Sequence, residues 1–86
     1  MNTIEEKLKD ALTAYGYEIF DTELHGDKTF RGYRVKKNGN KYLVLYSYLF
    51  NLLSFERMEN GMLVTDSHCW DLKKKFNKIL MLESKV

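Results

Sequence analysis

TFRGYRVKKNGNKYLVLY, residues 29–46, carries the reading on which the fold turns. Two runs rich in aromatic and branched residues flank Asn38-Gly39. Such a pair can take positive φ at both central positions of a type I′ turn, so a two-residue hairpin is the default. That register sets Val35 opposite Tyr42, Tyr33 opposite Val44 and Arg31 opposite Tyr46, and it leaves Arg34 opposite Leu43 on the other face. A three-residue loop would shift the pairing by one and set Tyr33 and Val35 beside Leu43 and Leu45. The sequence leaves both registers open. In either, residues 43–46 are apolar on both faces, which marks a central strand.

The rest of the chain extends outward from this hairpin. Residues 17–24 read as a preceding strand, with His25-Gly26-Asp27 as its turn. The hairpin strands span residues 29–37 and 41–48. Residues 52–59 and 62–65 flank a second Asn-Gly, Asn60-Gly61, and read as a further hairpin. Ile4, Leu8, Ala11, Leu12 and Tyr15 recur at helical spacing. Thr3 with Glu6 forms a capping box before them, and Gly16 suits the left-handed position that ends a helix. Asp66 or Ser67 can cap a last helix whose buried stripe is Cys69, Leu72, Phe76, Ile79 and Leu80, with Lys74, Lys75 and Lys78 toward water. The expected fold is a single small α+β domain, residues 1–86, ordered α-β-β-β-β-β-α. Its antiparallel sheet has three to five strands and carries the N-terminal and C-terminal helices on one face.

Eighty-six residues make one domain with a modest core. One cysteine rules out an internal disulfide. The opening MNTIEEKLKD has no apolar segment of the kind a secretory signal needs. No apolar run approaches the roughly 20 residues that span a bilayer. The expectation is a soluble cytoplasmic protein with no membrane role. The net charge of +2 hides segregation: residues 1–27 carry −5, residues 28–41 +6, residues 42–72 −3 and residues 73–86 +4. Local fields are therefore stronger than the total suggests.

No phosphate-cradling glycine loop, nucleophile elbow or H-E-x-x-H is present. Cys69 follows His68, but neighbours on a helix diverge by about 100°, so the histidine is badly placed as its base. Cys69 also falls on the core stripe, where cysteine behaves as a small hydrophobe. His25, His68 and Cys69 are zinc-type ligands, and Asp66 or Asp71 would add an oxygen. Without a close-spaced pair, the plainer reading is a turn histidine, a helix-start histidine and a core cysteine. No catalytic group, metal or cofactor is expected.

Two stretches suggest binding. Lys28, Arg31, Arg34, Lys36, Lys37 and Lys41 interleave with Phe30, Tyr33 and Tyr42, a pattern that can neutralise phosphates and stack on bases. A strand alternates, however, so these charges divide between two faces, and edge lysines also protect sheets from aggregation. The second stretch is YLFNLL, residues 48–53. As a loop it exposes an apolar patch of the kind that marks interfaces. Alternatively, Leu49 and Leu52 pack under the last helix. Lys73-Lys74-Lys75 lies where the helix dipole favours cations.

Residues 17–39, YEIFDTELHGDKTFRGYRVKKNG, locally resemble a double-stranded-RNA-binding domain. The shared features are a strand after a helix, a His/Gly loop, a D-K-T-F-like second strand and an N-G hairpin. The resemblance implies RNA contacts from the first helix, the His25 loop and the start of the last helix. The order of an N-terminal helix, Y-E-I and RVKKNGNKYLVL is also similar to small anti-CRISPR inhibitors of phages and mobile elements. That resemblance implies a steric inhibitor.

The expectation drawn from these features is a small non-catalytic binding protein, an anti-CRISPR-like phage or mobile-element inhibitor that blocks a host nuclease or defence complex. Arg31, Arg34, Lys36 and Lys37 would meet acidic surface on that protein partner. Tyr42, Tyr48 and Phe50 would supply aromatic contacts. The alternative is a nucleic-acid-binding module using the same basic hairpin.

Overall fold

A computed structural model describes residues 3–25, 30–47 and 49–82, with the backbone alone for residues 24 and 25. Of the expected turn His25-Gly26-Asp27, His25 is the last residue of β1, while Gly26, Asp27 and the strand ends at Thr29 and Tyr48 lie outside the described residues.

Helix α1 runs Ile4–Ala14. The Thr3 hydroxyl accepts from the Glu6 N–H at 3.2 Å, and the Glu6 carboxylate accepts from the Thr3 N–H at 3.4 Å, completing the capping box. The helix ends where Gly16 turns to φ +84°. That turn lets the Tyr17 N–H reach the Leu12 carbonyl at 2.9 Å and the Gly16 N–H reach that of Thr13 at 3.0 Å. A Schellman closure of this kind satisfies two terminal carbonyls and brings buried Leu12 against buried Tyr17.

Five strands follow: β1 (Glu18–His25), β2 (Phe30–Lys37), β3 (Asn40–Ser47), β4 (Leu52–Glu59) and β5 (Met62–Val64). They form one antiparallel meander in chain order, β1-β2-β3-β4-β5. Asn38 and Gly39 have φ of 51° and 80°, and the two-residue register holds, with Val35 opposite Tyr42 and Tyr33 opposite Val44. Asn60-Gly61 repeats the device between β4 and β5. As the doubly apolar segment requires, β3 is the central strand.

Helix α2 (Ser67–Leu80) packs beside α1 on one sheet face. Asp66 is its N-cap. Leu8 and Leu12 of α1 join Leu72, Phe76 and Leu80 of α2 over Tyr33, Val35, Val44, Tyr46, Leu53 and Phe55. Each large apolar side chain buried there contributes roughly 1.5–3 kcal/mol. Phe55 stacks on Phe76 at 5.4 Å, and Tyr17 meets both Tyr42 and Phe55 edge-on. Ile79, expected in the buried stripe, is instead exposed. It precedes Leu80 by one residue, and a turn of about 100° carries it off the core line.

The sheet's two edges differ. β1 carries a bulge at Phe20, between Ile19 and Asp21, and the acids Glu18, Asp21 and Glu23. Bulges and charges both discourage further strand pairing. At the opposite edge, β5 pairs only with Arg57, Met58 and Glu59. Residues 52–56 of β4 thus have a paired strand on the β3 side alone, and α2 packs against β4.

Candidate functional site

The basic hairpin is largely answered from within the chain. Arg31 Nε lies 3.0 Å from Glu5 Oε1 on α1. Arg34 Nη2 lies 2.9 Å from Glu23 Oε1, and Lys36 Nζ 3.0 Å from Glu18 Oε2, both on β1. The −5 and +6 segments are therefore neighbours in one sheet. Partly exposed pairs of this kind are worth about 0–1 kcal/mol each, so they compensate charge more than they hold the fold. Lys37 Nζ donates to the Tyr15 carbonyl at 2.6 Å, at the negative end of the α1 dipole, and sits 5.0 Å from the Tyr17 ring. Arg34 also reaches Met58 Sδ at 3.2 Å, its stem lying over Leu43, which is buried although no helix covers that face.

The candidate residues do not converge on one place. Arg31, Lys37 and Tyr42 occupy helix-side positions, and Arg34 and Lys36 the opposite face. Tyr42 is 4% exposed and packs edge-on against Tyr17 and Phe55, so its ring is part of the core. Tyr48 lies outside the described residues. Phe50 sits beyond the far end of β3 from the Asn38-Gly39 turn, about 25 Å away by strand length.

That far end holds the exposed apolar patch. Leu49 and Phe50 are 63% and 62% exposed, and Leu52 is exposed beside them. Neither Leu49 nor Leu52 packs beneath α2. The turn is braced at both ends: buried Ser47 accepts from the Phe50 N–H through Oγ at 3.2 Å, and Asn51 takes φ 55°, a conformation asparagine tolerates. The register puts Leu45, Ser47, Leu52 and Ser54 on the helix-free face next to this turn.

Near the Asn38-Gly39 turn lies a groove of about 310 Å³, lined by Tyr17, Lys37, Asn38, Asn40, Tyr42, His68, Leu72 and Lys75. Among the described residues its lining holds two lysines and a histidine and no carboxylate. Sequence reading missed the meeting of Lys37 with Lys75. The only available signal was that residues 28–41 and 73–86 are both basic.

Cys69 is fully buried, with Sγ 3.6 Å from the Val64 carbonyl. Burial pushes its thiol pKa up, opposite to the direction an attacking thiolate needs. Among the described residues no three His, Cys, Asp or Glu side chains gather as a metal site, and the side chain of His25 lies outside that set. A second unforeseen feature joins β4 to α2. Asp66 Oδ1 accepts from the Cys69 N–H at 2.9 Å, while Oδ2 accepts from Arg57 Nη2 at 2.8 Å. These two donors hold the Asp66 carboxyl well below the usual carboxylate range.

Compared with protein-family models, curated proteins and solved structures, the chain matches none.

Proposed function

We propose that this chain is a small non-catalytic binding protein that occupies a protein partner, with the β3–β4 turn as its principal contact. The observation that supports this reading is the exposure of Leu49, Phe50 and Leu52 together on a braced turn. A preordered aromatic and aliphatic cluster loses little conformational entropy on docking, which is how a few side chains come to dominate an interface. Arg31, Arg34 and Lys36 keep their intrachain carboxylate partners, so their role is at the rim, in steering and orientation. In its narrower form the partner is a host nuclease or defence complex, inhibited sterically. The resemblance of the helix, Y-E-I and RVKKNGNKYLVL order to anti-CRISPR inhibitors supports that form.

Replacing Phe50 with a photo-crosslinking phenylalanine in bacterial cells tests the proposal. The expected result is a discrete protein adduct at position 50 that is lost when Leu49 is changed to Asp. The same substitution at exposed Thr13 should give no such adduct. An identical adduct pattern at both positions would sink the reading. For the narrower form, the adduct must be a nuclease or defence subunit that loses cleavage at stoichiometric inhibitor.

A second reading, nucleic-acid binding, is favoured by the carboxylate-free groove of Lys37, His68 and Lys75. Two or three phosphate contacts there would give a log–log salt slope of roughly −2 to −3 on duplex DNA. Titration against labelled duplex and single-stranded nucleic acids at two salt concentrations separates the readings. Binding abolished by joint Lys37→Glu and Lys75→Glu substitution would favour the groove over the turn.

A further inference from the structure

Two lysines from distant parts of the chain converge without a counter-charge. Arg31, Arg34 and Lys36 each face a carboxylate, whereas among the described residues neither Lys37 nor Lys75 is paired with one. Tyr15 holds both. Its carbonyl accepts from Lys37 Nζ at 2.6 Å, and its ring centroid lies 4.3 Å from Lys75 Nζ. Lys37 reaches this point from the end of β2 and Lys75 from the middle of α2. Like charges gathered in this way repel, and an anion held between them would remove that cost.

Both ammonium groups line the groove of about 310 Å³ near the Asn38-Gly39 turn. His68, on the same lining, stands in the first turn of α2, where the helix dipole favours an anion. Asn38 and Asn40 add exposed side-chain amides, and the buried Tyr17 and Tyr42 supply an apolar wall. Asp66, whose charge reaches Tyr42, is already bound by Arg57 and by the Cys69 N–H.

The donors select among anions. Lys37 keeps two N–H groups after serving Tyr15, and Lys75 keeps three. Ammonium groups act as point charges and bind phosphate well, whereas planar carboxylates favour the fork of an arginine. A phosphate monoester carries close to two negative charges at neutral pH and three terminal oxygens. It matches two lysines, while a carboxylate or a phosphodiester carries one charge. The groove's volume is at the lower end of small-molecule sites, which run from about 300 to about 1,000 Å³, so the rest of the ligand is no larger than a sugar.

We propose that this groove binds a small phosphate monoester, with Lys37 and Lys75 on the phosphate oxygens and the body of the ligand against Tyr17 and Tyr42. The site is separate from the protein-binding turn, which lies at the other end of the sheet. It also differs from nucleic-acid backbone binding, because it takes one dianion and not a run of diesters.

The test follows the amide NMR spectrum of the full-length protein at constant ionic strength. The probes are ribose 5-phosphate, dimethyl phosphate and a single-stranded hexanucleotide with hydroxyl ends. Ribose 5-phosphate should shift the amides of Asn38, Asn40 and His68 saturably at millimolar concentration, and dimethyl phosphate should bind about tenfold more weakly. Lys75→Gln leaves the Lys37 bond to Tyr15 intact and should weaken ribose 5-phosphate about tenfold. Lys74→Gln, exposed on the same helix outside the groove, should change binding by less than about twofold. No saturable shift at tens of millimolar, equal binding of dimethyl phosphate, or no effect of Lys75→Gln would overturn the proposal. Tighter binding of the hexanucleotide than of ribose 5-phosphate would overturn it in favour of nucleic-acid backbone binding. Crosslinking at position 50 reads the opposite end of the molecule, so failure here and failure of protein binding remain distinct results.

Discussion

Four described non-glycine residues adopt positive φ, and three of them, Asn38, Asn51 and Asn60, are of the type that bears it best. The fourth is Met81, at φ 57°, where α2 ends and the Leu82 N–H reaches back to the Asn77 carbonyl at 2.9 Å. Its side chain is 85% exposed and gains little from packing. Met81→Gly should therefore stabilise the domain, the relief of left-handed strain outweighing the entropy glycine adds to the unfolded chain. The expected gain is roughly 0.5–1 kcal/mol, or about 4 °C in Tm for a domain this small, read by thermal denaturation. A lower Tm would mean the side chain packs better than its exposure indicates. Nothing in the sequence marked this position, because a methionine gives no turn signal. Asn38 and Asn60 did, each through its Asn-Gly pair, and the structure contains both of those turns.

Among the elements, the hairpins were the most legible part of the sequence, since Asn-Gly carries its own backbone preference. The bulge at Phe20 was not. It shifts β1 by one residue, so Asp21 and Glu23 face Arg34 and Gly32 across the helix-free side. Without it the parity would reverse and Glu23 would point at the core. The basic block was thus visible in sequence while its neutralisation was not. Likewise, Phe55 was readable as a strand residue, but no local signal announces that β5 stops at Val64 and that α2 covers β4 beyond it. The junction of β4 with α2 was equally hidden, and it is titratable. Asp66 has a depressed folded pKa, so its stabilising effect is full above the ordinary carboxylate range near pH 4 and drains away as pH falls below it. Asp66→Asn keeps an oxygen for the Cys69 N–H but loses the charge that holds Arg57. Its Tm should lie below wild type at neutral pH, and the gap should narrow as pH drops from about 5 to about 2. A gap constant across that range would show that the Arg57 pairing contributes nothing.

For the whole molecule, the core is unusual in the number of phenols it encloses. Burial, first of all, pushes both Tyr17 and Tyr33 up to about 12, with Tyr42 beside the former and Glu5 beside the latter adding to the effect. The folded state holds both as neutral phenols, whereas an unfolded chain ionises them near pH 10. Stability should stay level up to about pH 10 and fall as pH rises from there toward about 12. Absorbance of phenolate near 295 nm (roughly the tyrosinate band) should lag in the folded protein and rise together with unfolding seen by circular dichroism. Two independent transitions would indicate that the tyrosines ionise in place. Sequence reading assigned Tyr42 to a binding surface, because an aromatic residue among lysines looks the same whether it faces a partner or two helices.

The meander has a kinetic corollary. Every strand lies beside its immediate predecessor in the chain, β1-β2-β3-β4-β5. Each pairing step therefore closes a loop of only a few residues, at small entropic cost, and two of the turns are predisposed to form. The chain also has no proline, so no prolyl isomer can be trapped in the wrong state. Refolding from denaturant should run as one fast exponential, complete within about a second, with no phase in the tens of seconds. Stopped-flow fluorescence of the single tryptophan, Trp70, would record it. A chain that reaches its folded shape this quickly spends little time with its apolar strands exposed, the interval in which small β-rich proteins are lost to aggregation.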